Sequence, residues 1–318
     1  MLLEIEDLTK VYRRRIRAND GISLRVDAGQ VVGLLGHNGA GKTTLINQVV
    51  GLAKPTSGTI RLAGADPVAD PDLARRLCSL QPQAQVPLQG TTPRQAIELM
   101  ARIRGASRRR ARRRAEELLA ALELEPWADT VAERVSGGVQ RLTGFCMAAA
   151  EPGQVVMLDE PTNDVDPVRR RLLWAQVRDL GRAGSAVVLV THNVTEAERA
   201  VERLVILERG RVVAEGSPRQ LRGEYADKLR LELVAVDEPG ARRLAERVPA
   251  GGPATVTGRR VGVPIAPVAA AGLLAWAQRE REAGAVEEFS VTPVSLEDVY
   301  IRLAGAEREE VPDAALAA

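Results

Sequence analysis

Apolar and charged residues alternate through Leu3, Ile5 and Leu8, and again through Ile22, Leu24 and Val26. A period of two sends successive side chains to opposite faces, so both stretches predict antiparallel strands with one buried face. Val31-Val32-Gly33-Leu34-Leu35 is apolar throughout and predicts a strand covered on both faces, with the first turns of a helix following at Leu45 to Val50. Thr59 to Leu62 reads as a short strand after the turn Pro55-Thr56-Ser57-Gly58, and another strand is expected over 77–80. From Pro93 the period becomes helical, through Ile97, Leu99 and Met100, then Leu118, Leu119 and Leu122, joined at Gly105. Val155 to Leu158 and Ala186 to Val190 are two further apolar strands, separated by a helix around Leu172, Leu173, Trp174 and Val177. Strand-like segments over 204–207 and 211–214 close this half at Gly216-Ser217-Pro218.

The remainder has a different rhythm. Strands are expected over 228–236, 254–257, 260–263 and 288–291, with helices over 239–247 and 269–281. That order, strand-helix-strand-strand-helix-strand, predicts a small split βαβ domain. Ser295 opens a last helix as its N-cap, with Glu297 and Asp298 in the first turn, and the end from Glu307 is polar and frayed. The expected division is a domain over 1–216, an α+β domain over 217–305 and a flexible tail over 306–318. The uncharged stretch Val261 to Gln278 is broken by Pro264 and Pro267 and reads as strand, turn and core helix rather than a membrane span. Acidic residues at the start do not suit a signal peptide, so a cytoplasmic location is expected.

A length of 318 residues suits one large and one smaller domain. The net charge of +2 gives no overall argument for a nucleic-acid or acidic-lipid partner. One local run, Arg108-Arg109-Arg110 and Arg112-Arg113-Arg114, has the charge to meet either, but Glu116 and Glu117 follow it and no aromatic residue interleaves it. It reads first as the solvated face of a helix. Cys78 and Cys146 have no metal or redox spacing and read as buried structural residues.

Chemistry concentrates in Gly36-His37-Asn38-Gly39-Ala40-Gly41-Lys42-Thr43-Thr44, which fits G-x-x-x-x-G-K-[ST] between a predicted strand and a predicted helix. The glycines let backbone N–H groups turn inward, and the helix adds its positive end, so phosphate oxygens are the natural guest. Lys42 brings charge to the β- and γ-phosphates, the Thr43 hydroxyl suits Mg²⁺, and Thr44 is a further donor. The strand Val155 to Leu158 ends in Asp159, placed to hold that ion, and Glu160, placed to polarise a water. His192 follows the strand ending at Val190, at the edge where open α/β sheets bind ligands. Tyr12, ahead of the phosphate loop, has two readings: core packing, or a ring stacked on a purine.

Taken in order, the phosphate loop, Ser136-Gly137-Gly138, Met157-Leu158-Asp159-Glu160, the turn at Asp166 and His192 resemble the ATP-binding ATPase subunits of ATP-binding cassette (ABC) transporters. The resemblance covers roughly the first two-thirds of the chain. More weakly, Ser295 to Leu303 resembles the accessory tail of the drug- and multidrug-export branch. The fold this implies is α/β: a P-loop ATPase core, an antiparallel β subdomain and a helical subdomain, followed by the small α+β domain. By resemblance, Tyr12 stacks on adenine, Gly36 through Thr44 are the Walker A loop, Asp159 is the Walker B aspartate and Glu160 the catalytic glutamate. His192 becomes the switch histidine, Ser136, Gly137 and Gly138 cap ATP bound by a partner subunit, and Asp166 belongs to a loop at the dimer interface. Gln83 is assigned as the glutamine that senses Mg²⁺ and faces the membrane subunit, because a proline precedes it in the family pattern; Gln81 is the alternative.

ATP and Mg²⁺ are the cofactors so implied. The partners are a second copy of the chain, head to tail, and a separately encoded membrane permease, expected to be an exporter's, with no nucleic acid expected. Val135 and Val139 replace the Leu and Gln usual in the signature, which suggests a looser cap and slower turnover. Gly144 interrupts the following helix at a cost of roughly 1 kcal/mol relative to Ala, without an evident role. Two competing readings are a soluble cassette ATPase acting on ribosomes or DNA through the arginine run, and a nucleotide-binding regulator with little hydrolysis.

Overall fold

The computed structural model describes residues 1–12, 16–86, 88–249 and 253–299. The chain divides into two compact units, Met1–Ser217 and Pro218–Ala318.

In the first unit, β1 (Leu3–Val11), β2 (Arg17–Val26) and β4 (Ser57–Leu62) form an antiparallel sheet in the order β2-β1-β4. The alternation of the sequence becomes its register: Leu3 lies opposite Val26 and Leu62, and Ile5 opposite Leu24 and Ile60. These side chains are all buried. The second sheet has six strands: β3 (Val31–Leu35), β5 (Cys78–Gln81), β6 (Val155–Asp159), β7 (Ala186–Thr191), β8 (Arg203–Glu208) and β9 (Arg211–Gly216). Their order is β5-β6-β7-β3-β8-β9, parallel except for β9. Every residue of β3, β6 and β7 is buried, which is why these strands read as unbroken apolar runs. Leu45, Ile46 and Val49 of α1 (Lys42–Val49) join the core cluster shared by the two sheets.

Beside the sheet lie α2 (Pro71–Leu77), α3 (Pro93–Ile103), α4 (Arg108–Ala121), α5 (Gly137–Ala150), α6 (Pro167–Arg182) and α7 (Val194–Ala200). The segment 77–80 is not all strand. Asp70 caps α2, accepting from the Leu73 N–H at 3.0 Å with Pro71 at the first helical position, so Leu77 ends a helix and β5 starts one residue later. A capping box at Thr92 and Gln95 starts α3, and the Ser107 side chain caps α4.

The second unit contains α8 (Pro218–Arg222), β10 (Leu229–Ala235), α9 (Glu238–Arg247), β11 (Thr255–Thr257), β12 (Arg260–Ile265), α10 (Ala270–Glu282) and β13 (Val286–Pro293). Its sheet is antiparallel in the order β11-β12-β10-β13, the arrangement of a split βαβ unit. Leu231, Leu233, Val261, Val263 and Ile265 pack with Ala241 and Leu244 of α9 and with Leu273, Trp276 and Ala277 of α10. The uncharged stretch from Val261 is thus β12 followed by α10, and among the described residues no helix is long and apolar enough to cross a membrane. Ser295 caps a helical turn over 296–299, its hydroxyl accepting from the Asp298 N–H at 3.2 Å. The expected tail over 306–318 lies outside the described residues.

Candidate functional site

The loop Gly36–Gly41 leaves the C-terminal end of β3 and runs into α1. Gly36 has no room for a side chain, since a Cβ there would sit 2.6 Å from the Leu207 carbonyl oxygen of β8. Gly41 has φ +102°, and its carbonyl accepts from the buried Asn19 side chain of β2 at 3.1 Å, which Gln48 of α1 bonds in turn at 2.7 Å. The Gly210 N–H, in the turn after β8, donates to the Ala40 carbonyl at 3.0 Å. Neighbouring elements therefore hold the loop from both sides. The Lys42 ammonium donates to the carbonyls of Gly36 at 2.5 Å and His37 at 3.0 Å. Burial lowers its pKa, while the carboxylates of Glu160 and Asp159 act in the opposite sense.

Two neighbouring strands bring acidic chemistry to the same edge. The Thr43 hydroxyl donates to Asp159 Oδ2 at 3.3 Å, joining the start of α1 to the end of β6. The Asp159 carboxyl is pushed up to about 6, first by burial and then by the charge of Glu160, against the Thr43 bond and the charges of Lys42 and Arg141. Glu160 is buried and has φ +51°, a left-handed conformation that ends the strand and is fixed by its N–H donating to Val190 of β7 at 2.8 Å. Its carboxylate accepts from the Thr191 hydroxyl at 3.2 Å and the His192 N–H at 3.0 Å, and lies 2.8 Å from His192 Nδ1. The His192 ring is 59% exposed while the glutamate side chain is 3% exposed, so an exposed imidazole is anchored on a buried carboxylate.

Beside these groups opens a pocket lined by Ala18, His37, Asn38, Gly39, Gly41, Lys42, Thr43, Thr44, Gln83, Asp159 and Glu160; His192 touches it only through Glu160. Gln83 reaches the pocket on the loop after β5; Gln81 is buried, its amide donating to the Arg141 carbonyl at 3.1 Å. Arg141 of α5 in turn donates to the Pro82 carbonyl at 3.1 Å, so α5 holds both ends of the short segment leading to Gln83. A Cβ on Gly144, one turn further along, would make ordinary contact with Val86 at 3.5 Å and Gln81 at 4.0 Å, so nothing in the packing requires a glycine there.

Tyr12 and the second group of motifs do not line this pocket. Tyr12 is 43% exposed, with the Lys10 ammonium 5.1 Å from its ring centre. Ser136 caps α5, accepting from the Val139 N–H at 3.3 Å, and Val135 and Val139 are buried. A Cβ on Gly138 would come within 2.5 Å of the Asp164 carbonyl oxygen, so this glycine permits close packing of α5 on the loop before α6. Asp166 caps α6, accepting from the N–H groups of Val168 at 3.1 Å and Arg169 at 3.0 Å. Ser136 and Asp166 are exposed, and with Gly137 and Gly138 they stand outside the lining of the cradle pocket.

Four arginines of the run on α4 are in ion pairs: Arg110 with Glu151, Arg112 with Glu116, and Arg113 and Arg114 with Glu117. Both cysteines are free and buried, their thiols pushed up to about 12 chiefly by desolvation. Sequence reasoning did not single out Asn19, Arg141, Thr191 or Glu208, which act on the site through partners distant in the chain. Each is a polar residue in an otherwise buried position, a signal visible only once burial is known.

A six-stranded, mainly parallel sheet with a glycine-rich cradle, a paired carboxylate edge and a covering histidine defines a P-loop nucleotide-binding ATPase cassette. The family model described as ABC transporter matches residues 19–163. The daunorubicin/doxorubicin resistance ATP-binding protein DrrA of Streptomyces peucetius is 35% identical over 95% of this chain and 92% of its own length. The Nod factor export ATP-binding protein I of Ralstonia nicotianae is 32% identical over 97% of this chain and 95% of its own. A dimeric ATP-binding cassette solved in a post-hydrolysis state with ADP and phosphate superposes with a TM-score of 0.62 at 26% identity, covering 68% of this chain and 98% of that one. The chain belongs to the ABC transporter family, as an ATP-binding ATPase cassette.

Proposed function

We propose that the chain binds and hydrolyses ATP as one half of a head-to-tail homodimer that drives a separately encoded membrane permease, in an exporter, from the cytoplasmic face. The observation that carries this reading is the meeting of Lys42, Thr43, Asp159, Glu160 and His192 at the C-terminal ends of β3, β6 and β7, while Ser136 to Gly138 do not line that pocket. A cap that does not line its own chain's cradle is available to the cradle of a second copy. The two bacterial relatives, matched over nearly their whole length, are named for drug resistance and Nod factor export, which favours export. A second groove, lined by Leu80, Pro82, Val86, Met100 and Met147, opens beside the Gln83 loop, and Leu99 and Ile103 of α3 are exposed. An apolar surface next to the site suits a protein partner such as the permease. The split βαβ unit, 217–305 in the expected division, serves as an accessory domain.

The donor set fits Mg²⁺. A hydroxyl and a carboxylate lie 3.3 Å apart with an amide lining the same pocket, all hard oxygen donors few in number, as suits an ion that shares its shell with water and phosphate. Thr43, Asp159 and Gln83 would hold it, and when bound it neutralises charge on the phosphates. The chain's own groups do the rest. Lys42 exchanges its bonds to Gly36 and His37 for phosphate oxygens, Tyr12 stacks on the base, and backbone N–H groups from Asn38 to Thr44 fix the phosphate chain. Glu160 accepts a proton from the attacking water, while His192, anchored on the same carboxylate, reaches the γ-phosphate. Ser136, Gly137, Gly138 and Asp166 close the partner's site.

Glu160→Gln tests this reading. ATP binding is expected to persist while hydrolysis falls by about a hundredfold or more, the range for loss of a general base. The variant should then accumulate as an ATP-dependent dimer in sedimentation experiments. Normal hydrolysis, or a variant that stays monomeric with ATP, would count against the assignment.

A further inference from the structure

Glu208 is the last residue of β8 and is 5% exposed, yet it carries a carboxylate. One oxygen, Oε1, lies 3.0 Å from His37 Nε2, and the other has no hydrogen-bond partner. A buried carboxylate with a single side-chain partner costs stability unless that contact does something. Parallel pairing explains how the two residues meet. Leu35 of β3 pairs with Ile206 of β8, so two residues beyond each strand partner the chain places His37 level with Glu208. Leu207 packs against Gly36 in the same register, and Gly210 donates to Ala40 just past the turn.

The second ring nitrogen carries the contact forward. His37 Nδ1 lies 2.5 Å from the Asn38 carbonyl oxygen. Both neighbours of the ring are acceptors, so it satisfies both only with a proton on each nitrogen. The Asn38–Gly39 peptide is trans and planar, so drawing its carbonyl toward the ring sends the Gly39 N–H in the opposite direction. Gly39 lines the pocket. We propose that Glu208 is a positioning residue for nucleotide binding: acting through His37, it fixes the Asn38–Gly39 peptide with its N–H presented to phosphate. The inference rests on the nucleotide-cradle reading above. It gives the turn after β8 a role in preorganising a loop that many glycines would otherwise leave loose.

A double-mutant cycle on the full chain tests it, with ATP affinity read by titration calorimetry and kcat by phosphate release. Glu208→Ala and His37→Ala are each expected to weaken ATP binding about tenfold, and the double variant no more than either alone, because coupled residues are not additive. Glu208→Gln keeps an oxygen to accept from the ring and should stay within about threefold of wild type, and the loss in Glu208→Ala should appear in ATP affinity, with kcat at saturating ATP within about twofold. Wild-type affinity in Glu208→Ala, or losses multiplying to about a hundredfold in the double variant, would overturn the proposal. The decision does not hang on the buried position alone, since His37, with a ring 41% exposed, can be truncated without opening the core and must show the same loss. Failure of the wild-type chain itself to bind ATP would instead overturn the cradle reading, a result distinct from variants that bind as well as wild type.

Discussion

At the end of β6 burial and charge act on Asp159 in a direction that can be measured without nucleotide. The carboxyl titrates near 3.8 in an unfolded chain and at about 6 in the fold, because desolvation, and then Glu160, penalise its ionised form. A raised value means the folded state favours the proton, so the stabilising contribution is complete below pH 3.8 and is lost as pH rises through about 6. Asp159→Asn keeps an oxygen for the Thr43 hydroxyl but cannot ionise. It should raise the stability of the nucleotide-free protein at pH 7.5 by on the order of 1–2 kcal/mol, allowing for partial screening, and the gain should vanish near pH 4 in thermal melts. An unchanged or lowered stability at pH 7.5 would mean that the ionised carboxylate is not under strain in the fold. Lys42→Ala makes the opposite kind of change, removing a cation from the cradle, and is expected to weaken ATP affinity rather than only the rate. Equal affinity by calorimetry would place the phosphates elsewhere. The roles of these residues were open to sequence reasoning because each sits at a fixed spacing from glycine or at the end of an apolar strand. Asn19 and Glu208 were not, because nothing around them in the chain marks them as polar residues destined for a buried position against the loop.

At the scale of the element, Gly138 shows how a helix start doubles as a packing surface. With no side chain it lets α5 approach the Asp164 carbonyl, and any Cβ must push the two apart. Gly138→Ala is expected to lower stability by about 1–3 kcal/mol and to reduce hydrolysis, while ATP affinity of the isolated cradle changes little. A loss of affinity as large as the loss of rate would contradict the assignment of Gly138 to the partner's site rather than to its own cradle. Elements with a clear period were legible in advance. Leu3, Ile5, Leu24 and Ile60 carried the antiparallel sheet, and the apolar runs at 31–35, 155–158 and 186–190 carried the parallel one. The short helices α2 and α7 were not, because seven residues give too few turns for a period to emerge. For α2, the Asp70-Pro71 pair was the available signal, a cap followed by the residue favoured at the first helical position. The split βαβ order of the second unit was legible from its alternation, and its sheet order follows from antiparallel pairing of β10 with both β12 and β13.

For the molecule as a whole, the proposed dimer leaves neither surface complete alone: the cradle of one copy would work with the signature of another. Two variants that are each inactive for different reasons test it most directly. Lys42→Ala removes the cation from the cradle and leaves the signature intact. Ser136→Asp keeps an oxygen to cap α5 but sets a negative charge where a partner's γ-phosphate would lie. Each alone should show hydrolysis near background. Mixed in equal amounts with ATP and Mg²⁺, about half the dimers would be hybrids with one intact site of two, so activity should recover to about a quarter of wild type if each site works independently. The measurement is phosphate release from the mixture against each variant at the same total concentration. Recovery is the result a head-to-tail dimer predicts, and a mixture no more active than its parts, or a Ser136→Asp chain active by itself, would contradict it.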